Sequence, residues 1–292
     1  MTHALPSGAT KGPLRAHVRI PAKVAAFVLT TLVVLWPDPR LLIRHVRHLS
    51  DLNGLIDTEH GAIREWAGQI TPDSPEEAAV IRAVERFVLE QVRYAWDWDE
   101  WGAADYVPTV TEMFDRRRPD GTLREDCDGR AVIAASLLRA LGRDARIVTD
   151  LRHVWVQSDG ADLMGPGRAA TVVSSAAGNR VAWRSAASNA LVGLSFGVAV
   201  FPWQRELIIC FALVLLSIHP RMSRTALAVG AVLVIQGWLF LRTGVIVTPD
   251  HRWLDQPWPA WIGLLHVAVG WPILLVAARR ARRAARPARG AA

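Results

Sequence analysis

The last third of the chain holds four apolar runs, and these limit what the sequence can fold into. They cover residues 187–203, 207–218, 225–241 and 259–278. A helix needs about 20 apolar residues to cross a bilayer, and the last two runs are long enough. The first two are short and are separated by polar residues 204–206, so they predict a hairpin of short helices or a re-entrant pair. A soluble fold would lack the polar surface to cover them, and we predict an all-α multi-pass membrane domain over residues 185–278.

Charged residues are concentrated outside the four apolar runs. Charged residues make up 21% of the 292 residues although 51% are hydrophobic, and they are frequent over residues 38–184, which predict a soluble domain. The net charge of +7 comes without a nucleic-acid-binding motif, so we predict a lipid bilayer as partner and no nucleic acid. Residues 279–292 form a basic tail. Its six arginines predict a cytoplasmic C-terminus.

The N-terminal region leaves the side of the soluble domain open. Residues 1–23 predict a disordered basic arm. Residues 24–36 form an apolar run that is short for a span, and they predict an uncleaved anchor or an interfacial helix. If this run crosses with its basic arm in the cytoplasm, the domain faces out, and the short pair over residues 187–218 must count as one crossing or as re-entrant. If instead all four later runs cross, the domain faces the cytoplasm.

Within the soluble domain, turn and cap residues mark the elements. Ser74-Pro75 with Glu77 predicts a capping box at the start of a helix. A short helix is predicted near residues 111–114, and another over 127–141 that Gly142 ends. Residues 145–151 and 153–157 predict strands, and Asp159-Gly160 predicts a hairpin turn after them.

The segment from Arg124 to Val156 indicates chemistry. Cys127 lies in the first turn of an apolar helix, where unpaired N–H groups and the helix dipole favour the thiolate. His153 begins a strand 26 residues later, and such a strand can pack against the start of that helix. A thiol beside an imidazole is the pair that nucleophilic acyl chemistry requires. Cys210, the second cysteine, lies in an apolar run, so no structural disulfide is predicted.

At these residues the sequence resembles the transglutaminase-like superfamily, and in particular bacterial transglutaminase-like cysteine peptidases. The resemblance rests on Asp126-Cys127-Asp128 with Ala131, on the helix ending Leu137–Gly142, and on His153 with Trp155 two residues on. It extends to the upstream segment 94–112. It implies an α+β papain-like domain with a Cys-His-Asp triad, in which Cys127 is the nucleophile and His153 its base.

The third triad residue departs from the family pattern. The family usually has Asp just before Pro in the strand after the histidine, but here Gly165 precedes Pro166. Asp162 is the nearest carboxylate and is the predicted third residue. A two-residue turn would pair it with Gln157, too far along to touch His153. Asp162 then reaches His153 only through a bulged or longer turn; otherwise Asp150 or a backbone carbonyl substitutes, or the third residue has no replacement.

We therefore expect a membrane-bound thiol-dependent amidohydrolase, peptidase or acyltransferase acting on peptide or protein amides, without cofactor or metal. The sequence leaves the substrate and the oligomeric state open. The alternative is a non-catalytic membrane protein whose degenerate domain binds or scaffolds a partner. A small transporter is disfavoured, because the apolar runs are expected to lack buried charged residues.

Two other groups of residues invite a functional interpretation. His45 and His48 share a helix face, but no third metal ligand lies near, and we interpret them as a solvated face. The aromatic residues Trp96, Trp98 and Trp101 either line a substrate cleft or belong to the core.

Overall fold

The computed structural model describes residues 16–247 and 253–284. Helices dominate it, with a smaller share of strand. Residues 1–15 of the predicted arm over residues 1–23 lie outside the described residues, and so does the end of the basic tail. The first helix, α1, spans Ala16–Leu35. It therefore begins eight residues before the predicted anchor, and residues 16–23 are helical rather than disordered.

The soluble domain begins with helices and ends with a sheet. Its helices are α2 (Pro39–Ser50), α3 (Gly61–Gln69), α4 (Glu77–Gln91), α5 (Asp97–Glu100), α6 (Val110–Asp115) and α7 (Cys127–Ala140). Strands β1 (Val92–Tyr94) and β2 (Leu123–Glu125) pair in parallel. A second sheet has the order β5-β4-β3-β6-β7, from β3 (Arg146–Thr149), β4 (Val154–Ser158), β5 (Ala161–Leu163), β6 (Val172–Val173) and β7 (Arg180–Val181). Its pairs are antiparallel.

Helix α7 forms the centre of the domain core. From Ala131 to Ala135 its residues are apolar, and all five are fully buried. A helix that is apolar all round cannot lie on a surface, so α7 is enclosed by α3, α4 and β4. This packing fixes the start of α7 against the start of β4.

The predicted helices and strands of this domain occur with small shifts. The short helix α6 starts with a Thr109–Glu112 capping box, and the helix over residues 127–141 is α7, followed by Gly142 at φ 77°. The capping box predicted at Ser74 is wrong: α4 starts at Glu77, after the N-cap Glu76, and the N–H of Glu76 instead donates to Ser74 Oγ.

The membrane half contains α8 (Trp183–Val200), α9 (Trp203–Ser217), α10 (Arg224–Arg242) and α11 (Pro257–Ala284). The short strands β8 (Val245–Val247) and β9 (Trp253–Asp255) pair between α10 and α11. Both α10 and α11 are long and apolar enough to cross a membrane. Two bent pairs raise the number of candidate spans to four, namely residues 21–50, bent by 85°, and residues 189–217, bent by 117°.

A charged pair lies at the bend between α8 and α9. Glu206 is 4% exposed and its carboxylate lies 2.9 Å from the guanidinium of Arg242. Arg242 also donates to the carbonyls of Val198 and Phe201, at 3.0 Å each, and so satisfies the open end of α8. Both residues lie outside the four predicted apolar runs, Glu206 in the break over residues 204–206 and Arg242 just after residue 241, so the bend is held by charges that flank the runs.

Helices α10 and α11 pack through reciprocal glycines. A Cβ added to Gly237 would lie 2.7 Å from the carbonyl oxygen of Gly263, and one on Gly263 would lie 2.5 Å from that of Gly237. One heptad away, Gly230 and Gly270 oppose each other in the same manner. Small residues at such contacts let helix backbones approach closely, which is how membrane helices gain packing energy.

We predict that Gly237→Val destabilises the protein by about 1–3 kcal/mol, because the added methyl groups would overlap backbone atoms of α11. Thermal unfolding in detergent measures this. The matched control is Gly197→Ala on α8, where an added Cβ meets no atom within 4 Å. Equal unfolding temperatures for Gly237→Val and the wild type would contradict the packing argument.

Candidate active site

Cys127 is the first residue of α7 and is half-buried. Asp126 caps the helix, its Oδ1 accepting from the N–H of Asp128 at 3.1 Å. The backbone N–H of Val154, the first residue of β4, lies within hydrogen-bonding reach of the Cys127 sulfur. The Cys127 sulfur therefore lies close to the residue that follows His153, and the catalytic pairing of Cys127 with His153 stays a prediction.

The ring of His153 is held by a backbone carbonyl. Its Nε2 lies 2.8 Å from the carbonyl oxygen of Met164, and the ring stacks on Trp155 with centroids 6.2 Å apart. A carbonyl oxygen only accepts, so Nε2 carries a proton in this contact and Nδ1 is the basic nitrogen of the neutral ring.

Two strained residues shape the surroundings of His153. Leu151 has φ 73° and Met164 has φ 56°, a backbone region that costs non-glycine residues free energy and persists where the structure enforces it. At Met164 that enforcement comes from Glu85 on α4, whose Oε1 accepts from the Met164 N–H at 3.0 Å. This anchor aims the Met164 carbonyl at the imidazole.

Asp162 lies where the turn geometry puts it. It pairs with Gln157 across the hairpin, as the two-residue turn predicts, and its Oδ1 accepts from the Gln157 side chain at 3.0 Å. A Cβ on Gly165 would lie 2.7 Å from the Asp162 Cβ and 3.1 Å from the Trp155 ring, so an aspartate does not fit at residue 165 as packed here. A catalytic role for Asp162 stays a prediction.

Three carboxylates crowd the start of α7. Ligand atoms of Asp97, Asp126 and Asp128 all lie within 4.8 Å of one another. Asp97 is 2% exposed, its Oδ2 accepts from the N–H of Tyr106 at 2.6 Å, and its Oδ1 has no hydrogen-bond partner among the described residues. Hard oxygen donors of this kind suit Ca²⁺ or Mg²⁺, so these three residues could hold a divalent cation. Asp97 was missed by the sequence reasoning, because nothing upstream of the cysteine motif marks it as a neighbour of Cys127.

Electrostatics keep the resting pair neutral. Burial, followed by the Asp126 carboxylate, raises the pKa of the Cys127 thiol well above its usual range. Burial lowers the pKa of His153. The sequence favoured a thiolate because of the helix N-terminus, but the nearby carboxylates oppose that effect. The Cys127 thiol and the His153 imidazole are both uncharged at neutral pH.

The aromatic residues divide between core and interface. Trp101 is buried and donates its indole N–H to Glu125 at 3.3 Å. Trp96 and Trp98 stack with centroids 4.8 Å apart, and Trp98 contacts Phe201 of the membrane half edge-on at 6.2 Å. These two half-buried rings therefore lie where the domain meets the α8–α9 bend.

His45 and His48 do not form a solvated face. His45 is buried, and its Nδ1 accepts from the N–H of Val107 at 3.3 Å. Nδ1 of His48 lies 2.6 Å from the carbonyl oxygen of Val107. That interpretation is wrong because the two rings together hold the backbone at Val107.

Comparison with protein-family models, with curated proteins and with solved structures finds no match to this chain. The interpretation of the site therefore rests on its own geometry.

We predict that the carboxylate cluster destabilises the metal-free protein at neutral pH. Burial raises the pKa values of Asp97, Asp126 and Asp128 in the folded state. Their stabilising contribution is therefore complete below the unfolded values of about 4, and it is lost as the pH rises through the raised folded values. Asp97→Asn should raise the unfolding temperature at pH 7 in EDTA and weaken its pH dependence.

The matched control is Asp159→Asn, an exposed turn residue whose carboxylate has no such neighbours. A lower unfolding temperature for Asp97→Asn at pH 7 in EDTA would show that the three carboxylates do not repel one another.

Proposed function

We propose that the protein is a membrane-bound thiol-dependent hydrolase or acyltransferase that acts on peptide or protein amides. The observation that carries this proposal is the contact of the Cys127 sulfur with the start of β4, beside a His153 ring whose Nε2 is fixed by the Met164 carbonyl. A nucleophile, a base and a group that orients the base are the three parts required for covalent acyl transfer.

The neutral state of the pair determines the first step. As the sulfur attacks the amide carbon, Nδ1 of His153 takes the thiol proton, and the imidazolium then gives a proton to the departing amine as the C–N bond breaks. This leaves a thioester on Cys127. Water or a second amine then attacks the thioester, and His153 takes a proton from that nucleophile and returns it to the sulfur.

The Met164 carbonyl orients the ring without a full negative charge. Hydrogen bonds to charged acceptors are roughly twice as strong as those between neutral groups. The imidazolium is therefore stabilised less than it would be by a carboxylate, and we expect slower turnover than a complete triad gives.

The alternative function is a degenerate domain that binds or scaffolds a partner without catalysis. The raised pKa of the Cys127 thiol favours this alternative, since a binding module has no need of a reactive thiolate. The two functions differ in whether the chemistry of Cys127 depends on His153.

We predict that His153→Ala slows iodoacetamide alkylation of Cys127 at pH 7 by about 10²-fold, the lower end of general-base effects. A Cys210→Ala background leaves Cys127 as the single cysteine. Asp162→Asn should leave the rate unchanged, because that carboxylate binds Gln157. An alkylation rate that His153→Ala leaves unchanged supports the scaffolding alternative. Slower alkylation of Cys127 in the Asp162→Asn variant would restore Asp162 to the triad.

We further propose that the soluble domain faces away from the cytoplasm. Lys23, near the start of α1, donates to the carbonyl of Leu216 at the end of α9, and it lies within electrostatic range of Arg282 near the end of α11. At the other end, the Leu35 carbonyl accepts from Ala104 of the domain at 2.7 Å. The basic termini thus share one side, and basic flanks favour the cytoplasm.

This arrangement implies four crossings, by α1, α9, α10 and α11, with α8 along the surface on the domain side. Of the two sequence alternatives, it corresponds to the one in which the early run crosses and the pair over residues 187–218 counts as one crossing. The loop between α9 and α10 adds Arg221 to the basic side, and the start of α10 adds Arg224.

We predict that a membrane-impermeant maleimide labels Asp159→Cys in intact cells, but labels Arg221→Cys only after permeabilisation. Both variants are made in a background lacking Cys127 and Cys210. Labelling of Arg221→Cys alone in intact cells would invert the proposed orientation.

A further inference from the structure

A buried turn precedes His153, and Asp150 organises it. Asp150 is fully buried, and its Oδ1 accepts from the backbone N–H groups of Arg152 at 3.1 Å and His153 at 3.0 Å. The Asp150 carboxylate therefore holds the backbone of His153 rather than its ring. Leu151, at φ 73°, completes the turn.

Two arginines surround the other oxygen of Asp150. Arg152, with a side chain only 3% exposed, approaches Asp150 Oδ2 at 3.4 Å, and Arg168 approaches it at 3.0 Å. One carboxylate cannot balance two guanidinium groups when that of Arg152 is buried, because an uncompensated buried charge is costly.

The second carboxylate comes from the membrane half. Asp255, at the end of β9 and just before α11, lies 2.5 Å from Arg152 and 3.4 Å from Arg168. Two carboxylates and two guanidinium groups therefore form a closed network in which each anion contacts both cations. Helix α8 covers the same turn, since a Cβ on Gly193 would lie 3.4 Å from the Leu151 carbonyl oxygen.

We propose that Asp255 is a positioning residue for His153, acting through Arg152, Arg168 and Asp150. The inference rests on the proposed function. The membrane half then supplies part of the apparatus that orients the base, and the soluble domain alone would hold His153 poorly.

The physical reason lies in the balance of charge. Without Asp255, both arginines depend on Asp150 alone, and the buried Arg152 must move toward water or draw the Asp150 carboxylate away from the turn. Either movement releases the N–H of His153, and a displacement of about 1 Å at a catalytic group can lower a rate by up to about 10²-fold.

The experiment is a double-variant cycle on the full-length chain in detergent, in the Cys210→Ala background. The readout is the rate of Cys127 alkylation by iodoacetamide at pH 7. Asp255→Asn should slow alkylation on the order of tenfold, and Asp255→Glu should restore most of the rate. Asp255→Asn should add no further slowing in a His153→Ala background, because its effect passes through that ring.

Asn189→Ala is the matched control. It removes a different hydrogen bond between the halves, from Asn189 to Thr171 Oγ1 at 3.1 Å, and it should leave the rate near that of the wild type. Arg168→Gln, at the exposed edge of the network, gives a milder variant with the same dependence on His153 should Asp255→Asn fail to fold.

A wild-type alkylation rate in the Asp255→Asn variant would overturn the inference and leave the proposed function intact. Where that variant does not fold, a wild-type rate in Arg168→Gln would have the same meaning. Equal slowing with and without His153 would also overturn it, since it would indicate general loosening of the fold. A wild-type rate in His153→Ala itself would overturn both this inference and the proposed function.

Discussion

Burial of α7 is the constraint on which the rest of the domain depends. Residues 131–135 of this helix are apolar on every side, so the chain must surround them with α3, α4 and β4. The first residue of α7 is Cys127, and the nearest edge of β4 begins at Val154. The contact between sulfur and strand is therefore a consequence of core packing, and the position of the nucleophile follows from the same apolar residues that stabilise the fold.

That position has an electrostatic cost. The N-terminus of a helix favours an anion, and the chain places three carboxylates there in addition to the thiol. Carboxylates so close cannot all ionise without mutual repulsion, and burial adds to the penalty. The consequence is a thiol that keeps its proton and an imidazole that is neutral and basic, so the proposed reaction requires the proton to move between them.

The motif residues were predictable, and their partners were not. The start of a buried helix at Cys127 and the pairing of Gln157 with Asp162 both follow from local patterns, namely an apolar run after an acidic cap and a two-residue turn. The carbonyl of Met164 has no sequence signature, because every residue carries one and only the strained backbone aims it at His153. Asp97 and Asp255 reach the site from distant segments, and nothing local to them indicates that contact.

The same limit applies to charges in the membrane half. Sequence reasoning placed Glu206 in the polar break between two apolar runs, and nothing local to it indicates that the fold buries it and pairs it with Arg242 from another helix. The pair satisfies the carbonyls at the end of α8 and so fixes the bend that sets α8 against the domain.

The two halves therefore meet along a specific interface. Helix α8 and strands β8 and β9 cover the turn before His153. The α8–α9 bend contacts the stacked rings of Trp96 and Trp98 through Phe201. A flexible tether would leave the orientation of the domain free. Contacts that reach Asp150 and Arg152, both buried, instead make the backbone of His153 depend on how the helices of the membrane half pack. Packing between α10 and α11, which places β8, β9 and Asp255, then bears on the site through the turn before His153.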